Sequence, residues 1–347
     1  MRYFHPPLLV GPCDWHEEIL SRNEFADRIS ALRALAGDDV DLLVHGDRLD
    51  DAALRYLSHF VPKLGPAFAW LPRQGRARLF YSGGAGMAAS VRRLSWIEEV
   101  QALGRPRHDL HELLHAPGRT SRLGVAGGAG MSRALRADLL AALPPGMPML
   151  DLDDALNRLR RRKSAAELAL LRRSGAILQR TLDTLCRAPG ALPAALVEAE
   201  RTAYENGAQE LRSTVGRASL RLAVCHGGYW TAAAVALPAA DARTSEAAVI
   251  GCRRILDAMR PGSAVRSLHE HLPAGWGLSL TVTGLGLSLD ELPFLTGEQR
   301  LAEGDACLVT VCIDGTDVAL VSVPVLIGPS AAMPLCAIAQ PMQVKHE

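Results

Sequence analysis

The sequence predicts two domains, the first of them an α/β layer, and three observations carry that reading. The chain has 347 residues, enough for two hydrophobic cores. From about Glu24 to Leu150, short apolar strands alternate with segments of helical period. A basic punctuation, Arg160-Arg161-Arg162-Lys163, then precedes a long helix. These features divide the chain into an extension (1–23), an α/β domain (24–150), a linker (151–163), a second domain (164–327) and a tail (328–347).

The elements follow from local chemistry. Phe25, Ile29, Leu32 and Leu35 recur at helical spacing, and Gly37-Asp38-Asp39 stops that helix before the apolar strand Val40 to Val44. Ala67 to Leu71 and Ala77 to Tyr81 read as strands around a turn at Arg73 to Gly75. Leu123 to Val125 is another strand, and Ser132 to Leu143 is a helix ended by Pro144-Pro145-Gly146. The clusters Gly83-Gly84-Ala85-Gly86 and Gly127-Gly128-Ala129-Gly130 read as turns, because neither gives a phosphate-loop pattern in a strand-turn-helix setting. Ser164 and Glu167 form a capping-box pattern. The helix they start runs to about Leu185, before a break at Pro189-Gly190. The basic cluster before it reads as a solvated linker.

Composition excludes several classes. The chain is 48% apolar and 22% charged, with a formal net charge of +1, so it offers no electrostatic footprint for nucleic acid or an anionic membrane surface. Only three of its 38 basic residues are lysines, a bias that reads as GC-rich coding rather than function. No apolar run approaches a membrane span, and Met1 to Trp15 lacks the charged-then-apolar order of a secretory signal. The cysteines are Cys13, Cys186, Cys225, Cys252, Cys307, Cys312 and Cys336; an odd number without C-x-x-C argues against a disulfide framework or structural zinc. A reducing cytoplasm is the expected compartment.

The stretch Thr281 to Phe294, TVTGLGLSLDELPF, resembles the GHGIGLxxHExP segment of the creatinase, prolidase and aminopeptidase P family, the pita-bread enzymes. Gly284-Leu285-Gly286-Leu287 matches the glycine turn and Glu291-Leu292-Pro293 the E-x-P. Other segments are similar to the family in order and spacing: the R-x-x-K-S-x-x-E-L junction, Trp96 to Val100, Glu198 to Gly207, Met259-Arg260-Pro261-Gly262 and Leu301 to Val311. The resemblance covers about Glu24 to Ile327. It implies an α/β and α+β architecture: a small α/β creatinase-like domain followed by a shortened pita-bread domain.

The same resemblance implies two divalent ions held by two aspartates, one histidine and two glutamates, because hard cations need anionic oxygen. Carried over residue by residue, these positions fall on Leu220, Thr231, Thr283, Cys312 (or Thr310) and Ser322. None is a ligand of the expected type, and the family's second histidine falls on Asp290. We therefore expect no metal and no cofactor. Gly228-Tyr229-Trp230-Thr231-Ala232-Ala233 is similar to the metal-free creatinase sequence GYYTALERT, but Ala234-Val235 replace its Glu-Arg pair.

Other residues offer candidate chemistry. Cys225-His226 is adjacent on a strand, where neighbouring side chains face opposite ways; it reads as a core cysteine beside a turn histidine. Cys312 is a small buried hydrophobe or, beside a base, a nucleophile. Asp290 and Glu291 are a surface acidic loop or groups turned into the old pocket. His269-Glu270-His271 diverges too far on a helix to chelate, and His108, His111 and His115 share a solvated helical face.

The expected function is a pseudoenzyme scaffold that dimerises, pairs with a related active protein, or binds a small molecule or peptide, with no nucleic-acid or membrane partner. Its pocket residues would be Tyr229, Thr231, Thr283 and Thr310. The alternative is a metal-free hydrolase or lyase on a small amide, amidine or peptide-like substrate, using Cys312, His226, Asp290 or Glu291. An active Xaa-Pro aminopeptidase or prolidase is the third reading.

Overall fold

The computed structural model describes residues 3–4, 14–37, 39–117, 122–187, 191–291 and 297–342. The expected features at Cys13, Asp38, Pro189-Gly190 and Leu292 to Phe294 lie outside them. The chain divides into two compact units, one of residues 12–160 and the other of residues 1–11 with 161–347. At the start, Tyr3–Phe4 (β1) adds a short strand to the second unit's sheet.

The first unit alternates helix and strand: α1 (Arg22–Ala36), β2 (Asp41–Gly46), α2 (Ala52–Ser58), β3 (Ala67–Leu71), β4 (Arg78–Tyr81), α3 (Ala88–Arg93), β5 (Glu99–Ala102), α4 (Pro106–Leu114), β6 (Leu123–Ala126), α5 (Arg133–Ala142), β7 (Met149–Asp151) and α6 (Asp153–Arg161). Its sheet has the order β5-β4-β3-β2-β6-β7 and mixes parallel with antiparallel pairs. Leu43, Phe68, Trp70 and Phe80 from the strands pack against Leu110, Leu114, Leu135 and Leu139 from the helices. Both glycine clusters are turns. In the second, the amides of Gly127, Gly128 and Ala129 donate to the Asp153 carboxylate, so the loop is filled by the chain's own side chain.

The second unit carries α7 (Ala165–Arg187), α8 (Leu192–Glu205), β8 (Glu210–Val215), β9 (Ser219–His226), β10 (Tyr229–Ala236), α9 (Ala242–Ala258), β11 (Leu278–Gly284), β12 (Ala306–Ile313), β13 (Ala319–Ile327) and β14 (Ala332–Pro334). The capping box forms as expected: the Glu167 amide donates to Ser164 Oγ at 3.2 Å, and the Ser164 amide to Glu167 Oε2 at 3.0 Å. The strands make an antiparallel sheet in the order β1-β8-β9-β10-β13-β12-β11, with β14 beside β13. One face packs on the helices. Leu220, Leu222, Val224, Ala233 and Val235 meet Leu178 and Leu182 of α7, while Val282, Val309, Val311, Val321 and Val323 meet Cys252 and Ile255 of α9.

The segment expected as a solvated linker, 151–163, differs from that reading. Most of it is α6, and the basic residues are used internally. The Arg161 guanidinium makes a two-pronged pair with Asp305 at 2.9 and 2.7 Å, and Lys163 is buried. Two buried carboxylates elsewhere in the same unit require those cations. Among the described residues, no helix is long and apolar enough to cross a membrane.

Candidate functional site

The residues that match the glycine motif form a socket. Glu291 is 3% exposed, and its Oε1 accepts the Leu287 amide at 2.7 Å while Oε2 is ion-paired with Lys163. Its own amide donates to the Gly284 carbonyl at 2.9 Å. A Cβ on Gly286 would lie 2.5 Å from the Glu291 carboxylate, and one on Gly284 would lie 2.8 Å from its carbonyl oxygen. The glycines are needed because the Glu291 carboxylate packs against Gly286 and the Glu291 backbone against Gly284. A surface loop is thus corrected for Glu291, which is buried and held on both oxygens, whereas Asp290 is exposed.

Two expected pocket residues turn toward the helices. Tyr229 is 1% exposed, and its hydroxyl donates to Glu167 Oε1 at 2.9 Å, tying β10 to the capping box of α7. Thr231 is wholly buried, with Oγ1 3.0 Å from Ser174 Oγ; that serine donates to the Val224 carbonyl at 2.9 Å. Both belong to the core interface between sheet and helix α7, because they share parity with Leu222, Val224 and Ala233.

The opposite face holds the chemistry-bearing row. Strand pairing aligns Arg221, Ala234, Ser322, Thr310 and Thr281 across β9, β10, β13, β12 and β11. Thr283 and Cys312 lie two residues away on that face, and Thr310 and Ser322 oxygens are 3.0 Å apart. The register shifts beside Cys312, where Leu320 is the extra residue of a bulge. The positions expected for the two aspartates, Leu220 and Thr231, face the helices; their neighbours on the opposite face are Arg221 and Ala232. Sequence reasoning missed Arg221. Its signal was the alternation Leu220, Leu222, Val224 against Arg221, Ala223, Cys225.

Arg221 Nε is buried and has no hydrogen-bond partner among the described residues. Cys312 lies 4.0 Å from the Thr281 hydroxyl. Burial raises its thiol above the ordinary value, opposed by the Thr281 hydrogen bond; Asp317 raises it further and the Arg221 charge lowers it. The balance keeps the proton on sulfur, which is unfavourable for a nucleophile.

The four catalytic candidates sit in different surroundings among the described residues. His226 Nδ1 lies 2.7 Å from the Gly207 carbonyl in the β9–β10 hairpin, on the parity of Val224 rather than that of Cys225. Cys225 is 3% exposed and sits opposite Trp230, so the core reading of that cysteine holds. Cys312 pairs with Thr281, Glu291 with Lys163, and Asp290 is exposed. Elsewhere, His111 and His115 rings stack at 3.9 Å on an exposed face. A cleft of about 430 Å³ includes Asp241, Thr244, Trp276 and Asp314, but Asp241 is the cap of α9. Its carboxyl is held below the usual value by the Thr244 hydroxyl and then by the Thr244 amide.

These side chains do not fit two divalent ions. Strands β9 to β13 place no carboxylate on the face opposite the helices, and Glu210 on β8 is paired with Arg212 at 2.8 Å. Among the described residues, no three His, Cys, Asp or Glu side chains assemble as a metal site. A guanidinium, hydroxyls and a protonated thiol are a poor shell for hard cations.

An α/β unit joined to an antiparallel sheet backed by two long helices defines the pita-bread architecture, and solved structures match it over nearly the whole chain. Prolidase from Pyrococcus horikoshii OT3 superposes with a TM-score of 0.72 at 13% identity, covering 93% of this chain and 100% of that one. X-Pro aminopeptidase from Thermotoga maritima MSB8 gives 0.74 at 14%, covering 92% and 99%. Dipeptidase PepE from Mycobacterium ulcerans gives 0.69 at 19%, covering 92% and 98%. The protein therefore has the fold of prolidases and aminopeptidase P. Neither a family sequence model nor a curated protein matches the chain.

Proposed function

We propose that this protein is a pita-bread scaffold without the two-metal peptidase chemistry, acting as a binding protein for a small molecule or peptide. The observation that carries this reading is the composition of one sheet face: Arg221, Ala232, Thr283, Thr310, Cys312 and Ser322 offer neither the carboxylates nor the imidazole that a shell for two hard cations needs. One lost ligand can be compensated, but a face with no carboxylate on five strands cannot charge-balance two dications. The scaffold function includes pairing with a second copy or with a catalytically intact relative. A reducing cytoplasm suits the buried thiols at Cys252, Cys307, Cys312 and Cys336.

The metal-free hydrolase reading has less support. It needs a nucleophile and base within hydrogen-bond reach, and Cys312, His226, Asp290 and Glu291 have separate surroundings.

Elemental mass spectrometry after dialysis with manganese, cobalt or zinc tests the proposal, alongside an Xaa-Pro dipeptide assay. We expect no stoichiometric metal and no cleavage. Stoichiometric metal with proline-peptide hydrolysis would overturn it.

A further inference from the structure

We propose that the sheet face opposite the helices binds a carboxylate-bearing small molecule, with Arg221 as its anchor. This rests on the reading that the face has no two-metal site. Arg221 lies in the same cross-strand row as Ser322, Thr310 and Thr281, and its Nε is buried without a hydrogen-bond partner among the described residues. A buried cationic N–H without an acceptor is costly, so an acceptor supplied by a ligand would relieve it. The guanidinium edge matches a planar carboxylate, through two parallel N–H···O bonds.

The rest of the row sets the charge and the shape. Ser322, Thr310 and Thr281 are neutral hydroxyls that donate or accept, and Ala232 and Ala234 add no charge beside them. The nearby cation on β8, Arg212, is committed to Glu210 at 2.8 Å and stacks 4.3 Å over the Trp230 ring. Arg221 therefore supplies one uncompensated charge on this face. That balance suits a carboxylate monoanion better than a phosphate dianion, which would need a second cation. Alternation puts Trp230 on the same face, so an aromatic side chain borders the row.

The test is a titration of full-length, metal-free protein with benzoate, benzamide and inorganic phosphate. The signal is the Arg221 Nε–H cross-peak in nitrogen-15 NMR, assigned by its loss in Arg221→Lys. Benzoate should move that peak saturably, benzamide should leave it in place, and phosphate should act more weakly than benzoate. In Arg221→Gln, the benzoate response of the β9 and β12 amides should weaken about tenfold or more, as expected for losing a charge-assisted bond. If Arg221→Gln does not fold, the wild-type contrast between benzoate and benzamide decides alone. An unmoved peak up to the solubility limit overturns the proposal. So does an equal response to benzamide, or a stronger one to phosphate. An unresponsive Arg221 in metal-free protein would remove only this inference, whereas manganese uptake with dipeptide cleavage would remove the proposed function itself.

Discussion

The two faces of the large sheet are made by the same strands, residue alternating with residue, yet they follow different rules. On the helix side, polar groups have partners within the core: Thr231 meets Ser174, and Tyr229 meets Glu167. On the other side, Arg221 Nε has no partner among the described residues, and Thr281 only approaches Cys312 at 4.0 Å. Packing fixes the first face, because an unpaired group between sheet and helix would destabilise the whole unit. The second face carries a guanidinium and hydroxyls instead of that apolar packing, with Thr310 and Ser322 oxygens 3.0 Å apart. The glycine socket belongs with the first face in this respect: its residues hold Glu291 rather than present it.

The largest effect should come from breaking that socket. Glu291→Ala leaves Lys163 as a buried cation without its carboxylate and should destabilise the protein by about 3–5 kcal/mol in denaturant unfolding. The double variant Lys163→Met with Glu291→Leu should recover most of that loss, since well-packed apolar residues replace such pairs at little net cost. A loss below about 1 kcal/mol in the single variant would mean that the pair is not structural.

The next contrast compares hydroxyls across the sheet. Thr231→Val removes a partner of wholly buried Ser174 and should cost about 1–3 kcal/mol. Thr310→Val with Ser322→Ala removes both members of a hydroxyl pair on the other face and should be nearly neutral. Equal losses in the two unfolding curves would abolish the distinction between the faces.

How much of this was legible follows from the same distinction. The capping box at Ser164 and Glu167, the helix after it, and the strands of the first unit were readable because local periodicity and turn chemistry dictate them. The carried-over alignment was readable at Thr283, Cys312 and Ser322, which share one sheet face, because the pattern around Gly284 and along β12 and β13 fixes the register. It slipped by one residue at Leu220 and Thr231, and a one-residue slip moves a side chain to the other face. That slip hid Arg221 and placed Tyr229 and Thr231 in a pocket when they belong to the core. Lys163 and Glu291 were hidden for a different reason: they are 128 residues apart in sequence, and each alone reads as surface charge.

The smallest effect tests the chemistry assigned to the second face. Cys312 is 8% exposed, and burial holds its thiol above the ordinary value. Alkylation of folded protein by iodoacetamide near neutral pH should be slower at Cys312 than at an unperturbed thiol, because only the thiolate reacts. The rate should climb with pH above the ordinary thiol value of 9.0, with no inflection at lower pH. The sign for stability follows: the folded state keeps this proton longer than the unfolded chain does. The stabilisation it contributes is therefore complete below the unfolded thiol value and is lost as pH rises through the folded one. Rapid alkylation near pH 6–7 would instead identify an activated thiolate. That outcome would favour the hydrolase reading, because a thiolate in a face otherwise made of hydroxyls and one guanidinium has chemistry to perform.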